Sequence, residues 1–266
     1  MSETYISLEQ QGAVATVWLE RPEVHNAFNA DLIRQLKDCF VALNQRDDVR
    51  VVVLAGRGKS FSAGADLNWM KASGAASEAE NQADAQNLAD MLYALATLKQ
   101  PTIARVQGAA MGGGMGLAAT CDICIAGDKA MFATSEVRLG LAPSTISPYV
   151  IRAIGERQAQ RYFLTAERIS AAKAAEIGLA HEVVGMEALD AKVEEIVAAL
   201  LLGGPVAQQA SKQLIALVAK RDNSAELRTQ TAAHIASVRA GQEAKEGLNA
   251  FLEKRTAAWC NSANPT

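Results

Sequence analysis

Two short stretches of this 266-residue chain place small residues where backbone amides, rather than side chains, would do chemistry. Phe61-Ser62-Ala63-Gly64-Ala65-Asp66 follows an apolar run, and a tight turn of small residues lets an N–H face a ligand with nothing intervening. Gly108-Ala109-Ala110-Met111-Gly112-Gly113-Gly114 lies between a predicted strand and a predicted helix, which offers free N–H groups and the positive end of a helix dipole to an anion. A phosphate loop is the first rival. Its Gly-Lys-Ser/Thr ending is absent, and the glycines do not match a dinucleotide fingerprint. Cys121 and Cys124 form a C-x-x-C, but no second half of a zinc set follows and the flanks are apolar. Two buried thiols are expected there.

Elements must hold those turns. Residues 5–8 and Val14–Leu19 alternate or run apolar, and 51–54 is a short β-branched run, so three strands are predicted. Between the second and third, Asn29 is a plausible N-cap for a helix carrying Leu32, Leu36, Phe40 and Leu43. Residues 57–60 form a turn into the first motif. From 73 to 84 the chain is small, polar and acidic, which reads as a mobile surface segment or lid. A helix then runs through Leu88, Met91, Leu92, Leu95 and Leu98 until Pro101 ends it, and Thr102–Val106 is the next strand. The second motif leads into a helix over 117–120 and a strand over 123–126. This alternation argues for a layered α/β core. Past residue 156 the chain is Ala-rich and helical except for a β run at 180–184, and Gly203, Gly204 and Pro205 start a long helix near Ala207. The division is a spiral-like core at 1–195 and a C-terminal helical region at 196–266.

Half of the residues are apolar, enough for a substantial core without staples. The net charge of −3 and the lack of a Lys/Arg run argue against a nucleic-acid partner. The start, MSETYISLEQ, has neither a cationic lead nor an apolar stretch, and no apolar run is long enough to span a bilayer. A cytoplasmic protein with no membrane association is expected.

Together the two turns resemble the paired oxyanion-hole motifs of the crotonase (enoyl-CoA hydratase/isomerase) superfamily, and the resemblance runs from Leu19-Glu20-Arg21-Pro22 to Phe251-Leu252-Glu253-Lys254-Arg255. It implies a ββα spiral core with an acyl-CoA site, followed by helices suited to a homotrimer or dimer of trimers. By the same match the amides of Ala65 and Gly113 hold a thioester oxygen. Ala63 and Ala65, flanking Gly64, leave the CoA path open; Gly64, Gly112 and Asp66 fall among the substrate-binding positions, Asp66 chiefly as a brace. Val24 and His25 lie in the loop that shelters the adenine, with His25 as its brace, and Lys254 meets the ADP phosphates. CoA is part of the substrate, and no separate cofactor or metal is implied.

Hydration of an α,β-unsaturated thioester needs one group to activate water and one to deliver a proton, and the family's better-known hydratases use two glutamates. Glu136, in Ser135-Glu136-Val137-Arg138, matches the second. The first falls on Gly116, so the usual pair is broken. A Δ3-Δ2-enoyl-CoA isomerase, which needs one carboxylate, is therefore a rival; a non-catalytic CoA-binding or RNA-associated scaffold is a second. The run Pro143-Ser144-Thr145-Ile146-Ser147-Pro148 with Ser135 to Arg138 is similar to the 3-methylglutaconyl-CoA / isohexenylglutaconyl-CoA hydratase branch of leucine and terpene catabolism. That branch handles a distal carboxylate, which Arg138 or Lys71 would meet.

Overall fold

The computed structural model describes residues 3–261. Nine strands are present among them: β1 (Ile6–Gln11), β2 (Val14–Leu19), β3 (Val51–Gly56), β4 (Thr102–Val106), β5 (Ala109–Met111), β6 (Ile123–Gly127), β7 (Met131–Ala133), β8 (Ile169–Ser170) and β9 (Glu182–Val184). The helices are α1 (Ala30–Asn44), α2 (Leu67–Ala75), α3 (Glu78–Ala96), α4 (Gly113–Thr120), α5 (Ser147–Thr165), α6 (Ala171–Glu176), α7 (Leu189–Leu202), α8 (Pro205–Val218), α9 (Ala225–Ala240), α10 (Gln242–Leu252) and α11 (Ala258–Asn261).

The larger sheet has the order β1-β2-β3-β4-β6-β9, parallel except for the β1–β2 hairpin. Its central strand β3 is buried along its whole length, which explains an uninterrupted apolar Val-Val-Val-Leu-Ala where one-sided strands alternate. Val52, Leu54, Ala104 and Cys124 face a core shared with Leu36 and Phe40 of α1, Leu92 of α3 and Leu117 of α4. Val51, Val53, Ile103 and Ile125 face the opposite side, where Leu189 and Val193 of α7 cover them.

A second, smaller sheet, β5-β7-β8, gives the fold its repeat. Isolated parallel bridges extend it, Phe28 with Ala65 and Ser62 with Ala110. Each turn of the chain thus lays a strand in the large sheet, a short extended piece in the small one, then a helix: β2–Phe28–α1, β3–Ser62–α2, β4–β5–α4, β6–β7–α5. The first motif and β5 of the second are consecutive pieces of the small sheet, so segments some fifty positions apart in sequence lie side by side.

Several expectations change. Residues 73–84 lie at the surface but are helical: α2 reaches Ala75, and Ser77 opens α3 with a capping box in which Ser77 and Glu80 serve each other's backbone amides. The Ser-x-x-Glu spacing that seeds this helix was in the sequence, beneath the acidic composition. The helix placed at 117–120 starts at Gly113, and its glycines Gly113, Gly114 and Gly116 lie tight against Phe28, Ser62 and Ile146. Helix α7 runs across the 195/196 boundary and packs on the sheet, while α8, α9 and α10 pack on one another.

Candidate active site

The first turn spends nearly all of its amides. Ser62 donates to the Ala109 carbonyl at 2.9 Å, Ala63 to His25 at 2.9 Å and Asp66 to Phe28 at 2.8 Å. Gly64 donates to the Ser62 hydroxyl at 3.3 Å, and its carbonyl accepts from Phe28 at 2.6 Å. Ala65, exposed, is left: among the described residues its N–H has no acceptor. Gly64 holds φ at +93°, and a Cβ there would stand 3.0 Å from the Met111 carbonyl oxygen, so only glycine lets the two turns approach.

In the second turn Met111 donates to the Ser62 carbonyl at 2.9 Å and Gly112 to Ala133 at 2.8 Å. The first amide bonded within α4 is that of Gly116, which reaches the Gly112 carbonyl at 3.0 Å. Gly113 and Gly114 head the helix, and among the described residues their N–H groups have no acceptor, as expected of the first turn. Gly112, with φ at +49°, joins the parts: a Cβ on it would lie 4.0 Å from the Gly64 Cα and 3.3 Å from Glu136 Oε1.

Glu136 therefore stands against the second turn, at the point where that turn meets the first. It begins the short 3-10 segment Glu136–Leu139, half-buried, and among the described residues its buried Oε2 has no hydrogen-bond partner. Burial pushes its carboxyl above the usual carboxylate range. An unpaired, partly desolvated carboxylate beside free amides is poised for proton transfer rather than for stability.

The other positions sort by location. Asp66 caps α2, accepting from Asn68 at 2.8 Å, and pairs with Arg21 at 3.0 Å. His25, at φ +53°, braces its loop through Nδ1 and the Ser60 hydroxyl, 3.1 Å apart. Val24 is exposed beside it. Ala63 is exposed too, on the first turn. Arg138 and Lys71 are exposed with no ion pair among the described residues. Lys254 is exposed in the turn after α10. Cys121 and Cys124 are buried free thiols, Cys124 pushed up to about 12 by burial.

Three contributors were not singled out from the sequence. Asn26, fully buried at φ +56°, accepts from the Arg21 amide and donates to the carbonyls of Arg57 and Ser60 at 2.9 Å each. An Asn in a turn that tolerates left-handed backbone was the available signal. The Ser62 hydroxyl donates to the Asn26 carbonyl at 2.8 Å, tying the loop to the first turn. Ile146, at the start of α5, fills the space against Gly116, and no pattern in the sequence announces that contact.

Two turns presenting amides at adjacent pieces of one sheet, with a carboxylate against them, define a site for stabilising a carbonyl-derived anion while a proton moves. The pattern of the enoyl-CoA hydratase/isomerase family matches residues 9–262, and the chain belongs to that family of enzymes. It is 34% identical to a crotonyl-CoA hydratase of Syntrophomonas wolfei, over 97% of this chain and 98% of that one. It is 33% identical to a short-chain-enoyl-CoA hydratase of Clostridium acetobutylicum, over 94% and 95%. The crystal structure of an enoyl-CoA hydratase from Shewanella pealeana superposes with a TM-score of 0.94 at 40% identity, covering 96% of each chain. The layered spiral is thus the crotonase fold.

Proposed function

We propose that the protein is an enoyl-CoA hydratase acting on a branched or carboxylated 2-enoyl thioester of the 3-methylglutaconyl-CoA type. The observation that carries the acid–base part of this reading is the partly desolvated Glu136, whose buried Oε2 has no partner among the described residues, beside turns whose Ala65 and Gly113 amides likewise have no acceptor among them. The thioester oxygen takes both amides, and loss of one such donor costs about 3–4 kcal/mol of transition-state stabilisation. Ionised Glu136 accepts a proton from the water attacking Cβ and returns one to Cα as the enolate collapses. The Val24–His25 loop shelters the adenine, Lys254 meets the CoA phosphates, and unpaired Arg138 or Lys71 receives the distal carboxylate. A homotrimer or dimer of trimers fits the exposed Leu248, Phe251 and Leu252, and four free thiols fit a reducing cytoplasm.

A turnover screen over linear, branched and dicarboxylic 2-enoyl-CoAs tests the reading, with highest kcat/KM expected for a dicarboxylic member. Glu136→Gln is expected to lower turnover about 10²–10⁴-fold; a loss of only a few-fold sinks the acid/base assignment. Arg138→Ala should raise KM for the dicarboxylic substrate and leave a neutral one unchanged.

Gly116 favours a second reading. With a single carboxylate the site suits moving a proton between Cα and Cγ, the work of a Δ3-Δ2-enoyl-CoA isomerase. Conversion of a 3-enoyl panel with no hydration of the 2-enoyl panel decides for it. A scaffold without activity is disfavoured by the retained Glu136, and turnover of any member of either panel rejects it.

A further inference from the structure

Gly116 is an anomaly within α4. It lies in the helix interior, fully buried, with its amide in a regular helical bond and its carbonyl accepting from the Thr120 hydroxyl at 2.7 Å. Its backbone is not in the left-handed region, unlike Gly112 just before the helix. Glycine is the least favourable residue in a helix interior after proline, and nothing in this backbone conformation requires it. The requirement is steric. A Cβ on Gly116 would lie 2.8 Å from the Ile146 Cβ and closer still to Cγ2, and Ile146 is 2% exposed at the junction where α5 packs on α4.

We propose that Ile146 limits the site to one proton-carrying side chain, because it occupies the space that any side chain at position 116 would need. Position 116 is one helical turn beyond Gly112, whose own missing side chain makes room for Glu136 Oε1. Of the carboxylates carried by the two turns and the 3-10 turn beside them, Asp66 is spent on Arg21 and on the Asn68 amide, which leaves Glu136. The charged groups on the elements packed against Glu136, Arg138 on its own turn and Arg152, Glu156, Arg157 and Arg161 on α5, form no ion pair with it among the described residues. Ile146 is a positioning residue: it acts by excluding a partner for Glu136, so one carboxylate must serve in turn as base and acid. The inference rests on the reading of this site as one for proton transfer on an acyl thioester.

Two measurements test it, and the first needs no activity. Thermal unfolding is compared for Gly116→Ala, Ile146→Ala and the double variant. Overpacking by Gly116→Ala is expected to lower Tm by roughly 3–10 °C in the wild-type background, and by less than half as much once Ile146 is Ala. An equal cost in both backgrounds overturns the steric pairing. The second is the pH profile of kcat/KM with whichever enoyl-CoA the protein turns over best. A lone base gives loss of activity on the acid side alone, and Gly116→Glu combined with Ile146→Ala is expected to add a second, basic limb from the installed acid. A wild-type profile with two carboxyl ionisations overturns the proposal, as does a double variant that fails to fold or keeps one limb. If no enoyl-CoA is turned over, the proposed function fails, while the unfolding comparison still decides whether Ile146 closes position 116.

Discussion

The Arg21 guanidinium meets the Asp66 carboxylate at 3.0 Å with the two side chains only 10% and 11% exposed, and this pair fastens the loop over residues 21–26 to the end of the first turn. Arg21 also donates to the Ala27 carbonyl and lies over the Tyr5 ring, 4.7 Å from its centroid. Asp66 does two jobs, since its other oxygen caps α2 through the amide of Asn68. The link ties the candidate adenine loop to the turn that carries the Ala65 amide.

Removing one partner of a buried pair leaves an uncompensated charge, so Asp66→Ala is expected to destabilise by about 3–5 kcal/mol in urea unfolding. Burial alone would raise the Asp66 carboxyl, but the Asn68 amide and Arg21 outweigh it and hold it below the usual range. A depressed carboxyl stabilises the native state above its unfolded pKa and loses that contribution as pH falls through the native one. The difference between wild type and Asp66→Ala should therefore be full at neutral pH and shrink in acid.

Glu136 carries the opposite sign. Its carboxyl is raised in the native state by burial, so the native protein is favoured while Glu136 is protonated and loses stability as pH rises through the native pKa. Glu136→Gln should melt a few degrees above wild type at neutral pH, with the gap closing in acid. A variant less stable than wild type at neutral pH would show that the carboxylate is held for structure.

Cys121 and Cys124 offer a test of the packed core behind the second turn. Both are buried, and burial pushes their thiols up, Cys124 to about 12. Little thiolate forms and little reagent enters. Ellman titration of the native protein should leave these two silent, and denaturation should reveal all four thiols of the chain.

Arg50 joins α11 to the sheet, donating to the Trp259 carbonyl at 3.2 Å and to the Gly203 carbonyl, from a residue 8% exposed. Arg50→Met should cost about 2–3 kcal/mol, the worth of charge-assisted bonds together with the carbonyls left unpaired. Hydrogen exchange around α11 should quicken while that of β3 and β4 changes only with global stability.

Much was legible beforehand where the cause is local. Val14–Leu19 and Thr102–Val106 match β2 and β4 to the residue, and Asn29 caps α1 by accepting from the Leu32 amide at 2.8 Å. β5, β7 and β8 escaped notice because each is only two or three residues long and is made extended by its neighbours rather than by its own side chains.

The sequence by itself determined the two glycine turns, the family resemblance and the carboxylate, since these depend on residue type: only glycine tolerates the backbone at positions 64 and 112, and a carboxyl is needed where Glu136 stands. Tertiary structure alone decided which amides remain free among the described residues, that Glu136 Oε2 has no partner among them, and that Ile146 closes position 116. Hydrogen-bond satisfaction and excluded volume are settled by atoms arriving from distant segments, and no spacing along one chain encodes which of them will meet.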